Sequence, residues 1–483
     1  MKNVRLIIFS VLLGTVVSHA QNKQLLYDFY EIPQSLILNP GVKTPYKWHT
    51  GIPVLSGFSI QAGTSGVTVD DLFAEDGIDF TTKFRDQVIN GLKSNDDFGY
   101  SGQIEIFNVG FRSVKKPRDY YSFGAYGEGF ASIFYPEDLA LLAFEGNATN
   151  LNKRFNFNDI NQQGEAVSVF HFGLNRQINE RWTIGARAKI YSSVYEFKST
   201  NNKGYFVTTQ GDDNILRNTL VADVTMRTSG VQEILDIIDE DTVNTQADLA
   251  SLLISRSLFG GNLGFGFDLG FTYKLGKNSF ITASLLDVGF IHHNKDIKNY
   301  TLNGAASNEG IEIRLPEDLT NLSADIWQDL IDDFERLIPF ETNNQSYISL
   351  RPIKLNASYR YNFGQYTDKS QICDCETTPV SKKENFDYKN AVGAHLFMIN
   401  RPRGPQTTIT AFYQKRIGRA LAIKTTYTAD KYTLSNIGLG LNLQAGPINF
   451  YILGDNLLSY QNIPASNYAS LQFGFNIISW NSN

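Results

Sequence analysis

Apolar and polar positions alternate one by one through long stretches of this chain. In LGFGFDLGFTYKL (263–275) every odd position is large and apolar: Leu263, Phe265, Phe267, Leu269, Phe271, Tyr273 and Leu275. The even positions are small or polar: Gly264, Gly266, Asp268, Gly270, Thr272 and Lys274. A period of two belongs to a strand whose two faces meet unlike surroundings. RWTIGARAKIY (181–191) sets Trp182, Ile184, Ala186, Ala188 and Ile190 against Thr183, Gly185, Arg187, Lys189 and Tyr191. KLNASYRYNF (354–363) sets Leu355, Ala357, Tyr359, Tyr361 and Phe363 against Lys354, Asn356, Ser358, Arg360 and Asn362. Residues 437–445 and 469–477 alternate as cleanly. Gly264, Gly266 and Gly270 approach a dinucleotide-binding fingerprint, but that motif closes a strand and opens a helix. Here the alternation runs straight through the glycines.

These runs match the length a tilted strand needs to cross the hydrocarbon layer. Short turns recur at 276–278, 179–180, 417–419 and 445–447, and long polar or mixed segments at 64–99, 137–164, 198–260 and 293–345. Tight turns on one rim and long loops on the other are the asymmetry of bacterial outer-membrane barrels. Strands are expected near 48–63, 100–113, 120–135, 165–178, 181–197, 261–275, 280–292, 346–363, 390–400, 406–416, 419–430, 433–445, 448–457 and 467–480. The expected fold is therefore all-β, an antiparallel transmembrane barrel of about fourteen strands, the even number a single-chain barrel requires. Placing the tight turns in the periplasm puts both chain ends there. One long connection, 364–389, then also falls on the periplasmic rim. The hairpin-like segment 204–226 is assigned to an outer loop, because counting it as wall would invert the 276–278 turn.

Bulky residues face lipid in this reading, and the lumen receives Arg187, Lys189, Asp268, Lys354 and Arg360, which a lipid face would penalise heavily. Inward glycines relieve crowding and let a loop or plug approach the wall. The long loops carry helical periodicity at 231–240, 247–259 and 322–338, read as helices packed on the barrel mouth. Residues 21–46 include PQSLILNPG (33–41), a poor strand because of its prolines. That segment is expected to plug the lumen or lie along the periplasmic rim, ahead of a barrel spanning 47–483.

Composition narrows the compartment. Lys2 and Arg5 precede the apolar run 6–17, and Ser18-His19-Ala20 fits a cleavage site, so residues 1–20 read as a signal peptide. No later stretch is apolar enough for a helical span. The chain of 483 residues is 13% aromatic, which suits a barrel wet inside and greasy outside. It carries 43 Lys+Arg against 49 Asp+Glu, a balance that argues against a nucleic-acid partner.

Catalytic and cofactor motifs are missing: there is no nucleophile elbow, P-loop, HExxH or CxxC pair. Cys373 and Cys375 flank Asp374 in a loop, with neither zinc spacing nor further ligands beside them. His292 and His293 are adjacent on a strand and point to opposite faces, a poor chelate. His49, His171 and His395 read as structural. Asp287 and Asp455 occupy matching places in two similar hairpins, 264–290 and 438–458, and are expected to bond loop backbone near the rim. No Ser/His/acid set can be assembled, so no enzymatic activity and no cofactor are expected.

YDFYEIPQSLILNPG (27–41), the repeated Gly-x-Gly hairpins and the export signal resemble outer-membrane barrels of the Bacteroidota type, similar in shape to FadL fatty-acid transporters and to PorV-type subunits of the type nine secretion system. The resemblance covers essentially the whole mature chain. It implies an accessory or plug subunit that binds a larger secretion translocon, docking through the periplasmic loop of Cys373, Asp374 and Cys375. The FadL side of the resemblance implies instead a carrier for hydrophobic small molecules. A structural surface barrel is the third possibility. Outer-membrane lipid is the common partner of all three.

Overall fold

The computed structural model describes residues 23–211, 215–240, 245–309, 332, 338, 340–364, 388–418, 420–429 and 436–480. The first wall strand is made of β1 (Tyr46–Gly51) and β2 (Phe58–Thr64), followed by β3 (Asp97–Arg112) and β4 (Asp119–Phe134). A short β5 (Arg154–Asn156) precedes β6 (Gln162–Gln177), β7 (Trp182–Gln210) and β8 (Leu216–Ser229). Next come β9 (Asn262–Lys274), β10 (Ser279–His293), β11 (Asn299–Glu309) and β12 (Glu341–Asn343). The wall resumes with β13 (Tyr347–Leu350), β14 (Lys354–Phe363), β15 (Asn390–Arg401) and β16 (Gly404–Ile417). It ends with β17 (Leu421–Ala429), β18 (Asn436–Ala445), β19 (Ile448–Asp455) and β20 (Tyr468–Trp480).

Antiparallel neighbours run around the ring until β20 pairs with β1 and β2, Ile478 facing His49 and Leu471 facing Ile60. Among the described residues this makes a closed wall of fourteen strands, with β1–β2 and β13–β14 each counting once. Closure leaves no unpaired edge, the condition for strands in a bilayer. The outward face of β9 carries Leu263, Phe265, Phe267 and Leu269, of which Phe265 is 60% exposed, while Asp268 between them is fully buried. Such an apolar exterior around a polar interior is the construction of an outer-membrane barrel.

Among the described residues several wall strands break or slip register where the sequence pattern runs on, and two of the breaks hold a proline, which cannot donate to the ladder. The strand expected at 48–63 bulges outward at 52–57 around Pro53, with Val54 at φ 66°. It stays tied on both sides, Ile52 N donating to Phe475 O (3.1 Å) and Val54 N to Ile106 O (3.2 Å). The strand expected at 346–363 divides at Arg351-Pro352-Ile353. In β10 the register slips between Leu285 and Val288, so Leu286 and Asp287 both stand opposite Asp268. Asp287 takes φ 60° there.

Beyond the wall, β7 continues outward to Gln210 and pairs with β8, β8 with β11 and β11 with β12. Residues 204–211 and 215–226 thus belong to an extracellular sheet rather than to the wall. An apolar core of Leu142, Phe155, Phe157, Phe206, Leu220 and Leu302 lies between this sheet and the helix Glu137–Glu145. The helical periodicity at 231–240 and 247–259 gives helices Gln232–Glu240 and Thr245–Ser255, the second running into a tight turn at Arg256–Gly260. Most of 322–338 lies outside the described residues, as do residues 1–22.

Residues 23–45 fill the lumen. Leu25, Leu26, Tyr27, Phe29, Ile32 and Leu38 cluster with Ala422, Tyr451 and Leu453 of the wall. One turn of helix, Ser35–Leu38, is buried on all sides. The lumen is the resting place of this segment, not the periplasmic rim.

A plugged lumen crossed by a chain of ion pairs

The plug turns at Asn39-Pro40-Gly41, where Asn39 Oδ1 accepts the Gly41 amide at 2.8 Å. An Asx turn before a φ-locked proline is stiff. It lies flat on the wall where Gly185 of β7 faces Gly270 of β9. A Cβ on Gly185 would stand 1.9 Å from Pro40 O, and one on Gly270 2.2 Å from Asn39 Oδ1. These two inward glycines leave the space the plug occupies.

A single helical turn leaves most of its carbonyls without intrahelical partners, and wall side chains supply them. Arg187 Nη1 donates to Ile37 O at 3.0 Å and Arg187 Nη2 to Leu36 O. Ser284 Oγ donates to Leu38 O (2.6 Å), Asn175 Nδ2 to Pro40 O (2.7 Å) and Val42 O (2.8 Å), and Thr272 Oγ1 to Gly41 O (2.9 Å). Lower in the plug Arg360 Nη1 donates to Asp28 O (2.7 Å) and Lys424 Nζ to Tyr27 O. The wall therefore grips the plug's backbone as well as its side chains, among them Glu31, which pairs with Arg416 (3.1 Å) and accepts from Gln414 (2.8 Å), and Gln34, which donates to Asn476 (2.8 Å).

Above this seat runs a chain of buried ion pairs. Asp268 joins Arg187 (3.0 Å) to Lys189 (2.9 Å), and Asp287 joins Lys189 (2.5 Å) to Lys354 (2.8 Å). Glu128 lies 3.9 Å from Lys354 and pairs with Arg351, which also pairs with Glu165. Paired charges are the form in which buried ionised groups persist. Of the five residues the alternation turns inward, Arg187, Lys189, Asp268 and Lys354 meet in this chain. Arg360 points inward elsewhere, its guanidinium stacked on Tyr30 (4.7 Å) and Tyr388 (4.8 Å) beside Gln414 (2.9 Å). Cys373, Asp374 and Cys375 lie outside the described residues.

Sequence reasoning missed Asp287, Glu128, Arg351 and Glu165 as members. Asp287 does not bond loop backbone at the rim; the bulge swings it into the lumen, where its amide donates to Asp268 Oδ1 at 2.8 Å. Asp455 does sit at a strand end, accepting from Ser470 Oγ at 2.8 Å. Among the histidines, His49 bonds Tyr120 (2.5 Å) and His395 bonds Asn356 (3.0 Å) while stacking on Tyr27 (4.2 Å). Neither ring nitrogen of His171 has a hydrogen-bond partner among the described residues.

The structure does bring a serine, a histidine and an acid together. Ser229 Oγ lies 2.6 Å from His293 Nδ1, and His293 Nε2 lies 3.0 Å from Glu196 Oε2 and 2.9 Å from Ser349 Oγ. Ser229, His293 and Glu196 are all fully buried, so no substrate reaches the hydroxyl. The serine and the acid also use the opposite ring nitrogens from a hydrolase triad. The cluster ties β7, β8, β10 and β13 together where the extracellular sheet leaves the wall.

Between the plug and the inner face of the wall is a cavity of about 70 Å³. Its lining mixes Lys23, Glu128, Asp287, Arg351 and Lys354 with Phe130, Leu286, Phe397 and Ile399. One water needs roughly 10–15 Å³ on such a measure, whereas a cavity that takes benzene is on the order of 150 Å³. As it stands, the cavity suits a few waters or one small group.

Among solved structures the chain is similar to the Ralstonia pickettii toluene transporter TbuX, at 9% identity and TM-score 0.39, covering 93% of this chain and 94% of that one. It is similar to a Pseudomonas aeruginosa FadL homologue at 10% identity and TM-score 0.34, covering 90% of each. The translocator domain of the autotransporter NalP from Neisseria meningitidis is similar at 7% identity and TM-score 0.30, covering 91% of this chain and 90% of that one. No curated protein matches the chain. One family matches across residues 40–455, and it contains nearly the whole barrel: the chain belongs to a family of unknown function, DUF5723.

Proposed function

We propose that the protein is a non-enzymatic, plug-gated outer-membrane channel that passes small hydrophobic or amphipathic molecules, with residues 23–45 as the gate. The observation that carries this reading is the seat of the plug. Its wall contacts include many hydrogen bonds from side chains to backbone carbonyls. Water can replace such bonds at a net cost of only about 1 kcal/mol each. A segment held in this way can leave without dismantling the wall. The cavity above it sets Phe130, Phe397 and Ile399 beside three lysines, two arginines and the carboxylates of Glu128 and Asp287, a lining that suits an apolar body with a polar end.

Proteoliposomes carrying the full chain, or a form lacking residues 23–41, test the reading with octanol and toluene as probes. Faster uptake through the shortened form, with slow uptake through the full chain, supports a gated channel. Equal and negligible uptake through both sinks it.

A second reading has one observation of its own. Phe363 and Asn390 are register partners, yet residues 364–389 join them on the periplasmic rim, far more chain than adjacent strand ends require. That surplus, holding Cys373, Asp374 and Cys375, suits docking of an accessory subunit to a secretion translocon. Extraction in mild detergent recovers a much larger barrel with this chain if the reading holds, and this chain alone if it does not.

A further inference from the structure

The geometry points to a second membrane contact outside the barrel: we propose that Ile254, at the end of helix Thr245–Ser255, and Leu258 and Phe259 of the turn that follows it insert among the acyl chains of the outer leaflet.

The turn Arg256–Gly260 lies on the lipid side of the wall. Ser192 follows Ile190 on the outward face of β7, yet Ser192 is fully buried while Ile190 is exposed. The turn covers it: Ser192 Oγ donates to Arg256 O at 2.5 Å and accepts from the Phe259 amide at 3.2 Å. Phe170 is on the outward face of β6, next to exposed Phe172, and the Phe259 ring stacks on it at 4.4 Å. The ring reaches that position through a left-handed backbone at Phe259, φ 70°, a conformation that a bulky residue adopts only under constraint. Arg256 supplies the constraint, paired with Glu233 (2.5 Å) and Asp296 (2.8 Å) and bonded to Gly230 O.

The depth of this contact follows from the strand. Ser192 is about ten residues above the periplasmic end of β7, the length a tilted strand needs to cross the hydrocarbon layer. The turn therefore sits at the outer boundary of the hydrocarbon layer, level with the top of the outer leaflet's acyl chains. Its apolar residues stay bare of protein: Leu258 is 59% exposed and Ile254 61% exposed. The stacking of Phe259 on Phe170 sets them beside the outward face that carries Phe172, Leu263 and Phe265. Helix Thr245–Ser255 behind them carries a single charge, Asp248. An apolar turn at that level, held against the wall's outward face, is how an interfacial helix anchors.

The test uses full-length protein in lipid nanodiscs, with Cys373 and Cys375 replaced by serine and a nitroxide attached to Leu258→Cys or, separately, Ile254→Cys. Collision rates with oxygen and with a neutral nickel chelate report lipid and water respectively. Phe265→Cys is the lipid standard and Lys93→Cys the aqueous one. An oxygen-to-nickel ratio near the Phe265→Cys value, several-fold above that at Lys93→Cys, supports the insertion. A ratio equal to Lys93→Cys places the turn in water and overturns it. Low collision with both reagents means that another protein or a second copy covers the turn, which overturns it equally. The Ile254→Cys form decides the matter should Leu258→Cys fail to fold.

Discussion

Replacing Gly185 by alanine adds one methyl group at the point where plug and wall touch. Its Cβ would lie 1.9 Å from Pro40 O and 2.6 Å from the Gly41 amide nitrogen. Ordinary contact begins near 3.4 Å, so the turn must retreat by about 1.5 Å. Strand β7 is fixed by β6 and β9 on either side, so the plug moves rather than the wall. A retreat of that size breaks the bonds from Asn175 to Pro40 O and Val42 O and from Thr272 to Gly41 O. Three hydrogen bonds at about 1 kcal/mol each bring the loss to roughly 3 kcal/mol, a factor of on the order of 100 in the seated-to-unseated ratio. Single-channel recording in planar bilayers reads this as more frequent or longer openings. Retention of the barrel is checked by its heat-dependent mobility on gels. Gly276→Ala, where a Cβ meets nothing within 4 Å, is the matched control. A Gly185→Ala barrel that is intact and as quiet as the parent refutes the argument that backbone contact at Asn39-Pro40-Gly41 seats the plug.

Other outcomes follow from the same geometry. Arg187→Ala strands Asp268 beside Lys189 alone and frees two plug carbonyls; breaking a buried pair costs about 3–5 kcal/mol, read as a lower urea midpoint with a raised basal conductance. Asp287→Asn leaves Lys354 with Glu128 at 3.9 Å as its nearest carboxylate and removes one of the two held by Lys189; its midpoint falls, and neutralising Lys354 as well, by Lys354→Met, recovers part of the loss. In the outer loop, the Thr82 hydroxyl and amide hold the Asp79 carboxyl below its ordinary range. A depressed folded-state value means the cap's contribution is present above the ordinary carboxylate range and lost as pH falls through the depressed value. Hydrogen exchange at residues 80–83 therefore speeds up in Asp79→Ala at neutral pH, and the difference from the parent closes in acid.

What the sequence made legible was set by parity. Wherever β7, β9 and β14 keep strict register, each inward residue could be assigned from alternation: Arg187, Lys189, Asp268, Lys354 and Arg360 all point inward. The glycines opposite them declared that something approaches the wall, though not that it was Asn39-Pro40-Gly41. Legibility failed at irregularities. A bulge shifts the face of every later residue by one, so Asp287 read as a rim residue although it lies at the centre of the ion chain. The same effect hid Glu196, because β7 carries an extra residue at Val194 opposite the step from Ala166 to Val167. Ser229, His293 and Glu196 therefore could not be brought together from spacing. Pro53 and Pro352 were visible signs of breaks, and both stood inside strands expected to run through.

These irregularities share a consequence. The bulge at 52–57 returns Ser56 to the lumen, where its hydroxyl donates to Glu105 Oε1 at 3.1 Å, beside Gln34 of the plug at 3.3 Å. The bulge at 286–287 aims Asp287 between Lys189 and Lys354, and the break at 351–353 aims Arg351 between Glu128 and Glu165. Regular pleat offers the lumen one side chain every second residue at a fixed angle. Such spacing suffices for donors that meet a carbonyl, such as Asn175 and Thr272. It is too coarse to interleave four acids with four bases across six wall strands, and each break supplies an angle the pleat lacks. Straightening β10 by deleting Leu286 should therefore leave the outward apolar face of Ser279–Leu285 intact while uncoupling Lys354 from Lys189. A circular dichroism spectrum unchanged in sheet content, with a lowered urea midpoint, is the expected result. An unchanged midpoint would mean that the bulge serves only to bend the strand.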